Sequence, residues 1–419
     1  MSEIVKKLLK DVPVPRFVRV RQDFCREHIE DVPGAIYDAL KPLEGKLKPG
    51  MRICLTCGSR GIDNNALMIR SVAEFCKSQG AEPFAIPAMG SHGGATDEGQ
   101  RAMLCSLGIT EETIGCPIYS SMETALIGYT EEGHPVQIDK HAAESDGIIV
   151  INRIKPHTSF RGTYESGLMK MMAIGLGKQK GAEVCHAAGF PMMHHMVPLF
   201  GRAILKNAPI LFGVGVIENA FDKTARIYGL TPDEIITEEP KLLKEAAAMM
   251  PSLGFTECDV LVVDQIGKNI SGCGMDPNIT GVFATPGMTG GIKAQRRCIL
   301  SLTEQTHGNG YGMGAADCIT RRLFEELDLS TVYPNAITST SLGFSKIPMI
   351  MESDRDALSL CIRTCNGIDR EKVRVIRILD TLHLSEFEIS ESLIPALPEN
   401  MQVVSQPYEL PFDEEGNLM

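Results

Sequence analysis

Two glycine-containing turns carry residue types that can bind an anion or move a proton. In GSRGIDNN, Arg60 stands between Gly58 and Gly61, just after a predicted strand. In PAMGSHGGATDEGQ, His92 lies among small residues and precedes Thr96, the predicted N-cap of the next helix. A guanidinium binds a phosphate or carboxylate through two hydrogen bonds, and an imidazole transfers protons near neutral pH. We expect both turns to bind a ligand; the alternative is a solvated arginine and a structural histidine.

A third, longer segment, VINRIKPHTSFRGTYESGLMKMMAIGLGKQKGAEVCH, is rich in cations although the protein is acidic overall. Its basic and imidazole side chains are Arg153, Lys155, His157, Arg161, Lys170, Lys178, Lys180 and His186. A basic island of this kind implies an anionic ligand. The alternative, lysines on a solvated helix face, suits Lys178 and Lys180.

Lys170 does not fit that alternative because its neighbours are apolar. They are Leu168, Met169, Met171, Met172 and Ile174, which helical spacing places on both flanks of the lysine. An apolar environment disfavours the ammonium form, so we expect a lowered pKa and a nucleophilic amine at Lys170. This predicts Schiff-base chemistry or covalent attachment of a cofactor.

Two histidines flank Lys170 and could transfer protons or bind a metal. His157 lies thirteen residues before the lysine, and His186 lies sixteen residues after it. This spacing does not match the HExxH motif of a zinc helix, and no carboxylate partner is evident. A hydrolytic zinc site is therefore the second choice. His194 and His195 are interpreted as structural.

The composition argues against several classes of partner. Among 419 residues, 41 Lys and Arg face 53 Asp and Glu, and the net charge of -12 would repel nucleic acid and anionic lipid. The N-terminus lacks the apolar core and cleavage site of a signal peptide. No run reaches the roughly 18 apolar residues that a membrane helix needs. We expect a soluble, cytoplasmic protein with neither a nucleic-acid nor a membrane partner.

The 13 cysteines are odd in number and scattered singly through apolar segments, which predicts reduced thiols. Cys54 and Cys57 form a CxxC pair in a predicted buried strand. Packing explains this pair better than a metal or redox role, since no second pair stands at zinc spacing.

Strand-like and amphipathic helical runs alternate over roughly the first 250 residues, which predicts a mostly parallel sheet covered by helices. The predicted strands are 51–57, 82–88, 147–154 and 210–218, with a helix at 64–80. Between Tyr119 and Val136 an antiparallel excursion is expected. A helix at 232–250 ends at Pro251, and ECDVLVVDQIG then begins a new strand.

These elements predict two α/β domains. Residues 1–255 form the larger N-terminal domain, which binds the cofactor and carries the catalytic residues. Residues 256–419 form a smaller C-terminal α/β domain, with a helix-like run in AADCITRRLFEEL and a strand in VRVIRIL. The last residues could return to the first domain. We expect the active site in the cleft between the two domains.

The positions Arg60, His92, His157, Lys170 and His186 together resemble the site of the nickel-dependent lactate racemase family. In that family an Arg follows the first strand and a His stands in a Gly-rich turn after the second. A later region supplies a His, a modified Lys and a further His, and the interval from Lys170 to His186 fits the family's. The resemblance covers most of the chain and is strongest between residues 58 and 186.

The resemblance implies nickel and a covalently bound cofactor, the pyridinium-3,5-bisthiocarboxylic acid mononucleotide or nickel-pincer nucleotide. Lys170 would be joined to one arm as a thioamide, and His186 would complete the coordination of the nickel. The other cofactor-binding positions would be Gly58, Ser59, Arg60 and Gly94. Cofactor-biosynthesis proteins would be necessary partners.

It also implies inversion at C2 of a small 2-hydroxy acid. The carbon-bound hydrogen leaves as a hydride to the pyridinium while a His takes the hydroxyl proton, which avoids a high-energy carbanion and gives a planar 2-keto acid. Return of the hydride to the opposite face inverts the centre. His92 and His157 would stand on opposite faces of this carbon. The substrate-binding residues would be Arg60, Lys155 and Asn278.

One position departs from the lactate-specific members. They carry a lysine shortly after a D-x-N motif, whereas GCGMDPNITGVFATPG has Ala284 there, so Lys268 or Lys293 would have to replace it. Polar residues suited to a substrate with several hydroxyls surround this position, namely Asn269, Ser271, Asp276, Asn278, Thr280, Asn309 and Tyr311. We favour a sugar acid such as gluconate over lactate.

Three alternatives stay open. The first is a racemase of a short 2-hydroxy acid such as lactate or malate. The second is a His-ligated zinc hydrolase or lyase that uses Lys170 as a charge. The third is a carrier of the nickel nucleotide without an activity of its own. The sequence sets no oligomeric state, and a homo-oligomer is compatible with it.

Overall fold

A computed structural model describes residues 2–339 and 341–419, which divide into two compact units. The central unit is Cys25–Met250. The flanking unit combines Met1–Phe24 with Pro251–Met419. Both units are mixed α/β structures, in agreement with the predicted fold class.

The N-terminal segment differs from the predicted domain assignment. Residues 1–24 were expected in the first domain, but strand Phe17–Gln22 pairs antiparallel with Glu386–Ser390 in the flanking unit. The reason is its alternating pattern, in which Val18 and Val20 are fully buried and need a partner surface. The last described strand, Met401–Val403, pairs with the same N-terminal strand and therefore also lies in the flanking unit.

The strands, in chain order, are β1 (Phe17–Gln22), β2 (Arg52–Cys57), β3 (Glu82–Pro87), β4 (Thr124–Tyr129), β5 (Pro135–Asp139), β6 (Gly147–Arg153), β7 (Ile210–Glu218), β8 (Thr224–Leu230), β9 (Glu257–Ile266), β10 (Lys293–Leu302), β11 (Cys318–Thr320), β12 (Met349–Met351), β13 (Val375–Ile378), β14 (Glu386–Ser390) and β15 (Met401–Val403).

The α-helices are α1 (Glu3–Leu9), α2 (Val32–Leu40), α3 (Asn65–Ser78), α4 (Asp97–Ser106), α5 (Glu111–Ile114), α6 (Lys140–Ala143), α7 (Leu168–Lys170), α8 (Lys178–His186), α9 (Met193–Asn207), α10 (Pro232–Met249), α11 (Pro277–Thr280), α12 (Arg321–Glu325), α13 (Leu329–Ser339) and α14 (Asp354–Thr364). A π-helical segment, Met171–Leu176, lies between α7 and α8.

The central unit is built on a five-stranded sheet in the order β3-β2-β6-β7-β8. Its first three pairings are parallel and the pairing of β7 with β8 is antiparallel. Strands β4 and β5 form a separate antiparallel hairpin, which confirms the excursion predicted between Tyr119 and Val136. The predicted strands and helices of this unit agree with the structure to within two residues.

Both faces of the central sheet are covered, as parallel strands require. Alternate residues of β6 serve the two faces. Ile148 and Val150 belong to a core that includes Leu168 and Met169. Ile149 and Ile151 belong to a second core that the helices α2 and α3 help to form.

The flanking unit contains an eight-stranded sheet in the order β12-β11-β10-β9-β13-β14-β1-β15. The pairings from β12 to β13 are parallel, and the rest are antiparallel. The first half of the run AADCITRRLFEEL, which was expected to be helical, instead contains strand β11, where Cys318 and Ile319 are fully buried. Helix α12 follows this strand. Within the described residues, no helix combines the length and hydropathy needed to cross a bilayer.

Candidate functional site

The sheet of the central unit brings the chemistry-bearing turns to one edge. Arg60 follows β2, His92 follows β3 and His157 follows β6. These three strands are adjacent and parallel, so their carboxyl ends lie at the same edge. Ligands of open α/β sheets bind outside this edge.

Lys170 is the electrostatic centre of the group. Burial is the largest cause of lowered pKa in three histidines, and the charge of Lys170 lowers them further; they are His92, His157 and His186. Arg60 in turn lowers the pKa of Lys170. The structure therefore brings all five sequence-predicted positions together in one electrostatically linked group.

The amine of Lys170 loses its proton more readily than that of a solvated lysine. Burial, followed by the charge of Arg60, lowers its pKa from 10.5 to about 8, and Cys185 opposes this shift. This confirms the lowered pKa expected from the apolar neighbours. Lys170 ends α7, and the chain then continues as the π-helical segment Met171–Leu176. Such segments occur frequently at functional sites.

His92 has its two ring nitrogens in different states. The Nδ1 atom lies 2.6 Å from the carbonyl oxygen of Met89, which can only accept, so Nδ1 carries the hydrogen. Nε2 of the neutral ring is then unprotonated. His92 is exposed to solvent. Desolvation, together with the charges of Arg60 and Lys170, lowers the pKa of His92 and keeps Nε2 a free base.

His157 has the opposite arrangement. The backbone N–H of Ser159 donates to Nδ1 at 2.9 Å, so the neutral ring carries its hydrogen on Nε2. The ring packs on Phe160, with 4.4 Å between centroids. Desolvation and then the charge of Lys170 hold the pKa of His157 well below its ordinary value. His157 is therefore a neutral hydrogen-bond donor through Nε2.

The loop that carries His157 is held by a buried carboxylate. Glu165 accepts from the backbone N–H of His157 at 2.7 Å and from that of Gly162 at 3.2 Å. Arg161 donates to the carbonyl of His157 at 2.6 Å and forms an ion pair with Glu165. Glu165 is only 6% exposed, so this arrangement is a built part of the fold.

His186 is the last residue of α8 and lies beside Phe190, with 5.9 Å between ring centroids. Part of the residue is solvent-exposed. Desolvation and then the charges of Lys170 and His92 lower its pKa to about 4. The imidazole is thus neutral at pH 7, which is the form that binds metals.

The net positive charge of the basic island is smaller than the sequence suggested, because two of its members have carboxylate partners from distant parts of the chain. Arg153 pairs with Glu218. Lys178 is fully buried and pairs with Asp139 at 3.1 Å, so its expected place on a solvated helix face was wrong. Lys180 is exposed, as that interpretation requires.

Three glycine and serine positions were predicted to line a cofactor. A side chain at Gly58 would lie 3.1 Å from the terminal methyl of Met171, so this glycine allows the turn after β2 to approach the π-helical segment. Gly94 has a φ of +65° and open space where a Cβ would stand. The carbonyl of Ser59 accepts from Arg60 at 3.4 Å. Their contact with a cofactor stays a prediction.

Two residues that sequence reasoning missed fix the segment before Lys170. The side-chain amide of Asn152 donates to the carbonyl of Gly167 at 2.8 Å. Glu239, from α10, accepts from the backbone N–H of Met169 at 3.0 Å, and it is 1% exposed. Asn152 lies near the end of a buried strand and could have been noticed for that reason. Glu239 stands in the charged run TEEPKLLKE, which looks solvated in the sequence.

Glu239 should make the stability of the cofactor-free protein depend on pH. Burial raises the pKa of Glu239 from 4.5 to about 8, against the backbone N–H donors of Met169 and Leu168. The folded state then binds this proton more tightly than the unfolded state. The free energy of unfolding should therefore fall between pH 4.5 and 8, by about 1.4 kcal/mol per pH unit from this one group.

In E239Q this contribution should disappear, so that the variant loses less stability than the wild type over the same pH range. Urea unfolding at several pH values measures the difference. E238Q, which changes the more accessible neighbouring glutamate, is the matched control and should follow the wild type. An E239Q curve parallel to the wild-type curve would show that Glu239 is ionised in the folded protein.

The remaining candidates lie in the flanking unit. The amide of Asn278 donates to Asp276 at 2.9 Å. Lys268 donates to the carbonyl of Gly272 at 2.6 Å and lies over the ring of Tyr311, with 4.4 Å to its centroid. Ala284 packs on the buried cluster that includes Tyr311. Asn278 as a substrate-binding residue stays a prediction.

Several polar side chains near Ala284 in the sequence already have partners within this unit. Asn309 donates to the carbonyl of Thr331 at 3.0 Å, and Asn269 accepts from Thr303 at 2.6 Å. Thr280 is fully buried. These groups serve the fold, so the supply of groups for a hydroxylated substrate is smaller than the sequence suggests.

The cysteines are free thiols. Cys54 and Cys57 are buried in β2, and burial raises the pKa of both, which agrees with a packing role. In the part of the chain that the structure describes, no three His, Cys, Asp or Glu side chains are grouped to hold a metal ion.

Most of the central unit is similar in sequence to a known protein domain. Residues 28–196 match the lactate racemase N-terminal domain. All five clustered positions, from Arg60 to His186, fall within this lactate-racemase-like segment. No curated protein sequence matches the chain.

The fold is also similar to a solved structure, the lactate racemase apoprotein from Thermoanaerobacterium thermosaccharolyticum. The TM-score is 0.51 and the sequence identity is 12%, over 87% of this chain and 98% of that chain. At this identity the likeness concerns the fold alone.

Proposed function

We propose that this protein is a racemase or epimerase that inverts C2 of a small 2-hydroxy acid. The observation that carries the proposal is the grouping of a partly buried lysine of lowered pKa with three neutral imidazoles and an arginine. This group lies entirely in the segment that matches the lactate racemase N-terminal domain. An isomerase needs a base, an acid and an anion-binding group, and the cluster contains all three kinds.

The residues fit a nickel-pincer nucleotide. Lys170 has a pKa of about 8, so a reactive fraction of free amine exists at neutral pH, and this residue would carry the covalent attachment. His186, with a pKa of about 4, offers a neutral nitrogen and would be the protein's nickel ligand. When bound, the pyridinium ring would serve as a reversible hydride acceptor.

The two histidines would have different roles toward the substrate oxygen. His92 Nε2 is unprotonated and would accept the proton of the substrate hydroxyl. His157 Nε2 carries a hydrogen and would donate a hydrogen bond to the substrate oxygen. The proton that His92 accepts would return to this oxygen when the hydride returns to the opposite face of the carbon. For His157 to act as a base, its Nδ1 would have to take the hydrogen, and the bond from Ser159 would have to break. In the described conformation the two histidines are therefore a base and a donor.

We further propose that Arg60 and Lys155 bind anionic groups of the substrate or cofactor. Arg60 is exposed at the turn after β2, and its charge acts on both His92 and Lys170. Lys155 lies two residues before His157, and its charge contributes to the lowered pKa of that ring after desolvation, Lys170 and His186. Asn278 is proposed as a further substrate contact.

Within 2-hydroxy acids we propose a sugar acid such as gluconate ahead of lactate or malate. The support is that Ala284 stands where lactate-specific members of the resembled family carry a lysine. The internal hydrogen bonds of Asn309 and Asn269 reduce the number of groups available for extra hydroxyls.

The test is an inversion assay on a panel of single-enantiomer acids with protein produced together with cofactor-biosynthesis proteins. The panel contains gluconate, lactate and malate, and chiral chromatography measures the appearance of the C2 epimer or enantiomer. We expect inversion of at least one acid, with gluconate fastest. Inversion of lactate or malate alone would replace the sugar-acid proposal, and inversion of none would reject a racemase.

The remaining two functions give different results in the same preparation. A zinc hydrolase or lyase would contain zinc and an unmodified Lys170. A carrier would contain the nickel nucleotide but invert no acid. Substitution of His92 or His157 would therefore change no turnover. Metal analysis together with these variants separates the three functions.

A further inference from the structure

We propose that Lys178, Asp139 and Gln100 form a buried positioning network that holds the His92 turn in place. The proposal rests on the proposed role of His92 as a base. Both side chains of the Lys178–Asp139 ion pair are 0% exposed, and Gln100 is also 0% exposed. Burying two opposite charges brings a desolvation penalty that an apolar pair would avoid. A group of this kind calls for an explanation beyond packing.

The three partners of the Lys178 ammonium come from different elements. It donates to the carbonyl of Pro87 at 2.6 Å and to the side-chain oxygen of Gln100 at 3.1 Å. The third partner is Asp139, at 3.1 Å. Pro87 ends β3, directly before the His92 turn, and Asp139 ends β5. Lys178 thus joins the end of β3 to α4 and β5.

Gln100 transmits this arrangement to His92. Its side-chain nitrogen donates to the carbonyl of Gly90 at 2.8 Å and to that of His92 at 3.2 Å. A side-chain amide can rotate by 180°, which exchanges the positions of its oxygen and nitrogen. The Lys178 ammonium can only donate, so it binds the oxygen and directs the nitrogen to the two carbonyls. The cation therefore determines which end of Gln100 faces the turn.

Lys178 also begins the helix that ends at His186, and its backbone is unusual. Its φ is +52°, a left-handed conformation that non-glycine residues rarely adopt. The network therefore keeps the start of α8 in a strained conformation. The His92 turn and the helix of His186 are consequently connected through one buried ammonium.

The experiment uses the full-length, cofactor-free protein and two altered forms of the network. Q100M removes the donors to Gly90 and His92. K178M/D139N removes the ion pair without leaving a single buried charge. The amide introduced by D139N keeps a side-chain oxygen that can still accept from the backbone N–H of Ala142, as Asp139 does. I53V is the control for a small loss of stability, because Ile53 lies in the second core, on the face of the central sheet that α2 and α3 cover.

Two readouts are independent of enzyme activity. Hydrogen exchange reports the amides that close the turn, His92 to Met89 and Ala95 to His92. Ring 15N chemical shifts report the tautomer of His92. We expect both network variants to exchange these amides about tenfold faster and to show a mixture of His92 tautomers, whereas I53V stays at wild-type values.

If exchange and tautomer are unchanged in both network variants, the positioning proposal is overturned, whatever the enzyme does. If only Q100M changes them, Gln100 is correctly placed without Lys178, and the role of the ion pair is overturned. If both variants change them, the proposal holds even when no hydroxy acid is inverted, because neither readout depends on the proposed function.

Discussion

Substitution of Lys170 by methionine should abolish inversion and, at the same time, make the cofactor-free protein more stable. Methionine fills similar space but cannot form a covalent bond to a cofactor, so no inversion above background is expected. Burial lowers the pKa of the lysine from 10.5 to about 8 in the folded state. Folding at pH 7 therefore includes a penalty for holding an ammonium in an apolar environment.

The sign of the stability effect follows from this lowered pKa. The penalty is fully present below the folded-state pKa and disappears as the pH rises toward the unfolded value. After a discount for the residue's partial exposure, K170M should gain about 1–3 kcal/mol in free energy of unfolding at pH 7, measured by urea unfolding. The gain should vanish near pH 10.5.

K170R is the matched control because arginine keeps the charge and cannot act as a nucleophile at neutral pH. It should be as inactive as K170M but should not show the gain in stability. Retention of inversion activity by either variant would remove Lys170 from the mechanism. Equal stability of K170M and wild type at pH 7 would show that the folded protein does not lower the pKa of this amine.

The second large effect is an asymmetry between the two histidines. H92Q should lose about 10²–10⁴-fold in kcat, because glutamine has no base to accept the hydroxyl proton. H157Q should lose only about tenfold, since the side-chain nitrogen of glutamine can replace the Nε2–H donor. Steady-state kinetics with the best acid of the panel measures both losses. The same substitution at both sites makes each variant the control for the other.

Equal, large losses in H92Q and H157Q would show that His157 also works as a base, which requires its Nδ1 to release the hydrogen bond from Ser159. The ring 15N shifts of the wild type give an independent check. They should place the hydrogen of neutral His92 on Nδ1 and that of neutral His157 on Nε2. The reverse assignment in either ring contradicts the proposed division of roles.

The positions of the candidate site could be predicted because they are local features of the sequence. Arg60 and His92 directly follow buried, β-rich runs, and parallel strands bring such turns to one edge. The apolar neighbours of Lys170 also predict its lowered pKa without any tertiary information. The same local patterns located the strands of the central sheet.

The partners of these residues could not be predicted because they are distant in the chain. Gln100 is 78 residues from Lys178, and Glu218 is 65 residues from Arg153. A lysine in GKQKG has the same local pattern whether it is solvated or buried, so only the tertiary contact with Asp139 distinguishes the two. The pairing of β1 within the flanking sheet escaped prediction for the same reason.

The most direct test of the account is intact-protein mass spectrometry combined with nickel quantification, on protein made with the cofactor-biosynthesis proteins. We predict an added mass that peptide mapping assigns to Lys170, together with about one nickel per chain, and loss of nickel but retention of the added mass in H186A. Active protein with an unmodified Lys170 and no bound transition metal would contradict the central claim.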